Sequence, residues 1–205
     1  MGDKCKMKKE NITLNAIERL KKLIVQGTFD NIYDVAFVEG IKRIILFPTN
    51  DLILNENQFD TLVNSLIIGK EALYLMQLGE NSDIFSQGNA VFKFAPPHLY
   101  REYFKCYEEE NLYSICIMFS DSFEWVCVID ECLEGGVAIL AGYPTVINEF
   151  ELKYGNSKND LNNYLDFLKE DEKRTKSNLQ VELILKVLGE KAISQSNTAN
   201  QNKAN

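Results

Sequence analysis

The chain has 205 residues, of which 45% are hydrophobic and 11% aromatic, and its formal net charge at pH 7 is −8. A globular domain of this size buries roughly 70% of its unfolded surface, so it needs neither disulfides nor a metal ion to fold. The negative charge disfavours general binding to nucleic acid or to anionic membranes, because both surfaces repel acidic proteins, and it permits a basic protein partner.

We predict one globular domain over residues 12–190 between two disordered ends. Residues 1–11 are polar and basic, and residues 191–205 are mostly Asn, Gln, Ser and Ala, with too little apolar surface to order themselves. The sequence shows no secretory signal and no apolar run long enough to span a bilayer, so we expect a cytoplasmic protein.

The cysteines do not follow the pattern of a disulfide framework or of a zinc site. They are odd in number, irregularly spaced and contain no Cys-x-x-Cys pair. We therefore expect all of them to be reduced and to bind no metal. The five are Cys5, Cys106, Cys116, Cys127 and Cys132.

The first part of the chain alternates amphipathic helices with short strands. Asn15 stands three residues before a glutamate, which is the spacing of a capping box and predicts a first helix ending near Gly27. Residues 41–47 predict a strand, and residues 52–54 a short partner strand that returns beside it.

The same cap spacing recurs at Asn55 and Gln58, ahead of a second helix that Gly69 is expected to end. Strands are predicted at 72–78 and 91–94, where apolar and aromatic residues are concentrated.

An aromatic helix is predicted to begin at Pro96 and Pro97, because proline is tolerated in the first turn. At 100° per residue, its apolar side chains fill one arc of about 140°. We expect that arc to pack on the sheet. Its members are Leu99, Tyr100, Tyr103, Phe104 and Tyr107.

Three apolar runs, at 113–119, 123–129 and 136–141, predict a three-stranded meander. Connections this short exclude parallel pairing, so the strands must be antiparallel. Residues 179–188 alternate at period two, but their Leu, Glu and Lys content favours a helix. The predicted fold class is therefore α+β, with a central, mainly antiparallel sheet (this meander plus N-terminal strands) packed with amphipathic helices.

No motif in the sequence is a catalytic, nucleotide-binding or metal-binding signature, so we expect no cofactor. The single histidine, His98, lies about 12 Å along a helix from Cys106, too far for a nucleophilic pair, while pairing with a thiol across the fold stays open. Gly135 and Gly136 lie between two strands, which favours a hairpin turn over a phosphate loop. Trp125 is interpreted as a core residue, with an exposed interface anchor as the alternative.

The order of helix, hairpin, helix, strands, aromatic helix and Trp-containing strand resembles small bacterial immunity proteins. The residues that carry the likeness are Trp125, Val126, Asp130 and the run 138–142. Such proteins are cytosolic and neutralise polymorphic or contact-dependent toxins. The resemblance therefore implies a non-enzymatic, single-domain α+β inhibitor that masks a toxin's active surface, and the acidic charge agrees with it because many such toxins are basic nucleases.

Two other functions remain open at this point. One is an oligomerising scaffold or accessory protein of a mobile element that associates through residues 179–188. The other is an enzyme whose residues are dispersed across the fold.

For a toxin inhibitor, we predict an acidic rim at the end of the sheet where the meander's first strand starts and its last connection lies. The acidic residues of this rim would steer a basic partner, and an aromatic residue would anchor it. We predict no catalytic residues and no metal ligands. The predicted binding residues are Glu108, Glu109, Glu110, Asp130, Glu131 and Glu134, with Tyr107 and Tyr113 as anchors.

Overall fold

An antiparallel sheet runs through the middle of this computed structural model and separates two layers of helices. The structure describes residues 7–28, 30–50, 52–78, 83–110, 112, 115–130, 136–176 and 179–189. The strands of the described residues are β1 (Met7–Asn11), β2 (Lys42–Leu46), β3 (Leu73–Gln77), β4 (Ala90–Phe94), β5 (Cys116–Ser120), β6 (Trp125–Asp130) and β7 (Val137–Gly142). The helices are α1 (Leu14–Leu20), α2 (Glu56–Leu66), α3 (Tyr100–Glu110), α4 (Pro144–Tyr154), α5 (Ser157–Thr175) and α6 (Gln180–Leu188), with a 3-10 helix at Ile32–Asp34.

The strand order across the sheet is β1-β4-β3-β5-β6-β7-β2, and every neighbouring pair is antiparallel. The fold class is α+β, as the sequence predicts. The predicted meander is confirmed, because β5, β6 and β7 are consecutive neighbours. Gly142 ends the meander in a tight space: a Cβ there would lie 2.6 Å from the Glu124 carbonyl oxygen and 2.9 Å from the Cβ of Trp125.

Both faces of the sheet are covered. On β6, Trp125, Cys127 and Ile129 face the layer of α2, α3 and α4, whereas Val126 and Val128 face the layer of α1, α5, α6 and the 3-10 helix. Successive side chains of a strand point to opposite faces, so a strand covered on both sides has to be apolar throughout. This is why the central strands read as continuous apolar runs.

The predicted disorder of residues 1–11 is wrong for Met7–Asn11, which form β1 beside β4. The polar sequence is compatible with a strand here because β1 lies at the edge of the sheet, where charged side chains reach solvent. The first helix is capped by Thr13, not Asn15: the Thr13 hydroxyl accepts a hydrogen bond from the Ala16 amide at 3.2 Å. That helix ends at Leu20 and does not extend to Gly27.

The predicted hairpin between residues 41–47 and 52–54 is also wrong. Strand β2 pairs with β7, with Ile44 opposite Leu140, and residues 52–54 contribute only an isolated bridge between Asn50 and Ile53. Their apolar side chains are buried in the layer of α2 without joining the sheet. Pairing with β7 gives β2 a ladder of five residue pairs, which is longer than residues 52–54 could provide.

Several helix predictions are confirmed, whereas one end and one start are corrected: α2 ends at Leu66, before the predicted Gly69. Asn55 and Gln58 form the expected capping box of α2, with both reciprocal hydrogen bonds at 3.0 Å. Residues 179–188 contain a helix, α6. The aromatic helix α3 begins at Tyr100 and not at the two prolines. Within the described residues, no helix is both long enough and apolar enough to cross a membrane.

Candidate partner-binding surface

Helix α3 is attached to the core through two fully buried side chains, Tyr103 and Cys106. The ring of Tyr103 stacks on Phe59 of α2 with 4.7 Å between centroids. Its hydroxyl accepts a hydrogen bond from the Leu54 amide at 3.1 Å, which satisfies a polar group in an otherwise apolar site. These contacts fix α3 next to the start of α2.

The predicted apolar arc of α3 is only partly right, because Phe104 is 37% exposed and Leu99 is 38% exposed. The buried face is centred between Tyr103 and Cys106. At 100° per residue, Phe104 lies about 100° from the first and about 160° from the second, which turns it away from the sheet. Cys106, a small residue outside the predicted arc, takes the place on the buried face that the prediction gave to Phe104.

The exposed ring of Phe104 is joined to the core by Tyr100. The Tyr100 ring lies 6.2 Å from Phe104 and 5.8 Å from Phe59, measured between centroids. The Tyr100 hydroxyl accepts a hydrogen bond from the Asn50 side-chain amide at 2.7 Å. A row of aromatic rings therefore leads from the interior to the surface, and Phe104 stands at its outer end on a supported helix.

Carboxylates of both helices lie near this aromatic row. Burial raises the pKa of Tyr100, and the negative charges of Glu56 and Asp60 on α2 raise it further. Both carboxylates therefore lie close enough to act on the ring's hydroxyl. On α3, Glu108 lies one turn beyond Phe104. We call the set Glu56, Asp60, Tyr100, Phe104 and Glu108 the α2–α3 surface.

The charge of the two helices is strongly unbalanced. Helix α2 has two carboxylates and no cation, and α3 has four carboxylates and two cations. One of those cations, Lys105, forms an ion pair with Glu109 of the same helix at 3.3 Å. The two helices together therefore carry more carboxylates than cations, and one of the cations, Arg101, lies one turn before Phe104 on α3.

Four of the predicted binding residues lie on α3. Glu108 and Glu109 are exposed, whereas Tyr107 is partly buried against the core. Glu110 forms an ion pair with Lys9 of β1 at 3.4 Å, so its charge is used to attach the end of α3 to the edge strand. Three more, Glu131, Glu134 and Tyr113, lie outside the described residues.

The structure does not combine Asp130 with the acidic residues of α3. Asp130 faces the opposite side of the sheet, where its carboxylate accepts a hydrogen bond from the Ile32 amide at 2.8 Å. It therefore contributes to holding the start of the 3-10 helix. Alternation along β6 explains the separation, because Asp130 follows Ile129, which faces the α3 layer.

The residues weighed for nucleophilic chemistry have structural partners. The Nε2 atom of His98 lies 2.9 Å from the Glu71 carbonyl oxygen, to which it donates. Cys106, Cys116 and Cys127 are buried and form no disulfide with one another, and burial raises the pKa of the Cys116 thiol to about 12, so it is protonated at neutral pH. Cys5 and Cys132 lie outside the described residues. Among the residues that are described, no three His, Cys, Asp or Glu side chains are grouped as for a metal ion.

Trp125 is a core residue and not an interface anchor, since its side chain is fully buried. On α6, by contrast, Leu179 just before the helix and Leu183 within it are 60% and 37% exposed. These two leucines are the part of the predicted scaffold segment that remains available for a partner.

A cleft of about 690 Å³ lies between α6 and the segment that contains the 3-10 helix. Arg43 of β2 forms part of its wall, and two of its nitrogens donate to the carbonyl oxygens of Val187 and Val38 at 3.1 and 3.3 Å. Arg43 therefore holds the end of α6 against the sheet. Its guanidinium is engaged in these hydrogen bonds and is not a free cation for a ligand in the cleft.

The sequence predicted the acidic stretch of α3 but missed Glu56, Asp60 and the exposure of Phe104. The periodicity of α2 indicates that both carboxylates lie on its polar face. That this face adjoins α3 is a contact between elements distant in the chain, which no local pattern encodes. No protein-family model, curated protein or solved structure matches this chain.

Proposed function

We propose that this chain is a non-enzymatic, cytoplasmic binding protein that neutralises a basic protein toxin, such as a nuclease, through the α2–α3 surface. This is the role of the bacterial immunity proteins that its sequence resembles. The observation that carries the proposal is the exposed ring of Phe104, which contacts Tyr100 and has Glu108 one turn further along α3, while Glu56 and Asp60 of α2 act on Tyr100.

An aromatic side chain that projects from a rigid element is a typical energetic centre of a protein interface, because its burial removes a large apolar area from water at a small entropic cost. The carboxylates of this surface serve a different purpose. They attract a basic partner from a distance, raise the association rate and disfavour acidic competitors.

The buried thiols support the cytoplasmic location. Cys106, Cys116 and Cys127 are buried in the core and form no disulfide with one another. Proteins of reducing compartments commonly keep such thiols as small hydrophobic residues, whereas secreted domains commonly use cysteine for disulfides.

The test begins with a pull-down of the chain against the C-terminal domain of a secreted toxin encoded by a neighbouring gene. Association and dissociation rates are then measured for the wild type, for Phe104→Ala and for Asp60→Lys/Glu108→Lys. We expect the charge reversal to slow association at least about tenfold at low salt and to flatten its salt dependence. Phe104→Ala should mainly accelerate dissociation, because it removes apolar contact from the bound state.

The matched control is Glu170→Lys/Glu182→Lys, which changes the net charge equally on exposed positions of α5 and α6, across the sheet. It should leave both rates within about twofold of the wild type. If the control slows association as much as the α2–α3 reversal, the effect is one of net charge and the proposed surface is wrong. If the chain neither captures the toxin domain nor reduces the toxin's activity, the proposed function itself is rejected.

A further inference from the structure

The two outer strands of the sheet are protected to different degrees. At the β2 edge, the Phe47 amide donates to the carboxylate of Asp160 on α5 at 3.1 Å, and α5 packs along β2. At the other edge, β4 is the only strand that the described residues pair with β1. Within the part of the chain that the structure describes, no strand therefore pairs with the outer edge of β1, and such an edge can accept another strand.

The register of β1 shows which main-chain groups are open. Ile12 continues the β1–β4 ladder and donates its amide to the Asn89 carbonyl at 2.9 Å. In an antiparallel pair, alternate residues bond to the same neighbour, so Lys8 and Glu10 bond to β4. The N–H and C=O groups of Met7, Lys9 and Asn11 consequently point outward.

The side chains of β1 are self-complementary in charge. Lys8 and Glu10 share one face of the strand, where their charged groups lie 3.6 Å apart. If a second β1 runs antiparallel with its Lys9 opposite Lys9, each Lys8 stands opposite the other copy's Glu10. These are the non-hydrogen-bonded positions of the new pair, where side chains approach most closely.

The neighbouring registers lack this match. A pairing centred one residue earlier places Lys8 against Lys8, and one centred one residue later places Glu10 against Glu10, which is repulsive in both cases. In the register centred on Lys9, each Lys9 is already compensated within its own chain, by the ion pair with Glu110 at 3.4 Å and by the face of Phe92, whose ring centroid lies 5.1 Å away.

We propose that β1 is the dimer interface of this protein: two copies join their β1 strands antiparallel about Lys9 and form one continuous sheet. The pairing provides about six main-chain hydrogen bonds, because the three outward-facing residues of each strand then find partners. The self-complementary charges favour a second copy of this chain over an unrelated extended segment. The proposal does not depend on the α2–α3 surface or on the toxin.

The first test measures the dissociation constant of the full chain by sedimentation equilibrium, for the wild type, Lys8→Glu and Glu10→Lys. Each single reversal puts like charges opposite each other at both symmetric positions, so each should weaken the dimer at least about tenfold. An equimolar mixture of the two variants should associate again, because every carboxylate then faces an ammonium. The double variant Lys8→Glu/Glu10→Lys should likewise dimerise.

The second test separates main-chain pairing from side-chain contacts. Lys9→Pro removes an N–H that points outward, so it spares the ladder to β4 but blocks the pairing with a second β1. Lys9→Ala loses the same side-chain contacts and keeps the N–H. We expect Lys9→Pro to be monomeric and Lys9→Ala to remain dimeric, with both melting cooperatively.

Three results would overturn the proposal. One is a wild type that stays monomeric at about 100 µM, the range in which even weak specific dimers form. Another is that the mixture of the two charge variants associates no better than each alone. The third is that Leu179→Glu/Leu183→Glu dissociates the dimer while Lys9→Pro does not, which would assign the interface to α6.

Discussion

Asp160 is a buried carboxylate, and we expect its removal to cost far more stability than its replacement by a neutral amide. It is only 6% exposed, at the start of α5. One carboxylate oxygen, Oδ2, accepts hydrogen bonds both from the Tyr154 hydroxyl at 2.7 Å and from the Phe47 amide at 3.1 Å. Asp160 therefore connects α4, α5 and the end of β2 through a single atom.

The substitution Asp160→Ala leaves two buried donors without an acceptor. Each unsatisfied buried donor costs about 1–3 kcal/mol, so for the two donors we expect a loss of about 2–6 kcal/mol in the free energy of unfolding. Asp160→Asn can keep both hydrogen bonds on its amide oxygen. It should therefore stay within about 1 kcal/mol of the wild type near neutral pH.

The pH dependence has a definite sign. Burial raises the pKa of Asp160 above its ordinary value, although the hydrogen bonds from Tyr154 and Phe47 oppose that shift. The folded state therefore holds this proton more tightly than the unfolded state. The stability that Asp160 contributes is fully present below its unfolded pKa and is lost as the pH rises through the folded pKa.

Urea denaturation at about pH 4 and about pH 7 tests this linkage, since the first lies near the ordinary pKa of aspartate. The wild type should lose stability from the lower to the higher pH as Asp160 ionises, whereas the Asn variant cannot titrate at this position. The free energy of unfolding of the Asn variant should therefore rise relative to that of the wild type. The reasoning is refuted if that difference is constant or changes in the opposite direction, or if Asp160→Ala costs less than about 0.5 kcal/mol.

Three further predictions concern stability and thiol reactivity. Tyr103→Ala should cost about 3–5 kcal/mol in urea denaturation, whereas Phe104→Ala should change stability by less than about 0.5 kcal/mol, and equal losses would contradict the described rotation of α3. Cys116 and Cys127 should react with a thiol reagent only after unfolding, because burial raises the pKa of both; rapid labelling of the native protein would argue against their burial. Asn55→Ala should cost about 1 kcal/mol through loss of the α2 cap, and a neutral result would exclude a stabilising role for the capping box.

The sequence by itself determined the elements whose signals are local. The capping box joins Asn55 and Gln58, which are only three positions apart in sequence, and it correctly marks the start of α2. The meander follows from short connections, which leave antiparallel pairing as the only possibility. The apolar content of its strands also anticipated their burial, and Trp125 was correctly interpreted as core.

Tertiary structure alone decided which distant elements adjoin. Met7–Asn11 become a strand because β4 offers an edge, and β2 joins β7 in preference to residues 52–54. The α2–α3 surface depends on the rotation of α3, which buries Cys106 and turns Phe104 outward, while alternation along β6 turns Asp130 to the other layer. Strand partners and helix rotations are settled by competition among surfaces of the whole chain, so short stretches of sequence do not specify them.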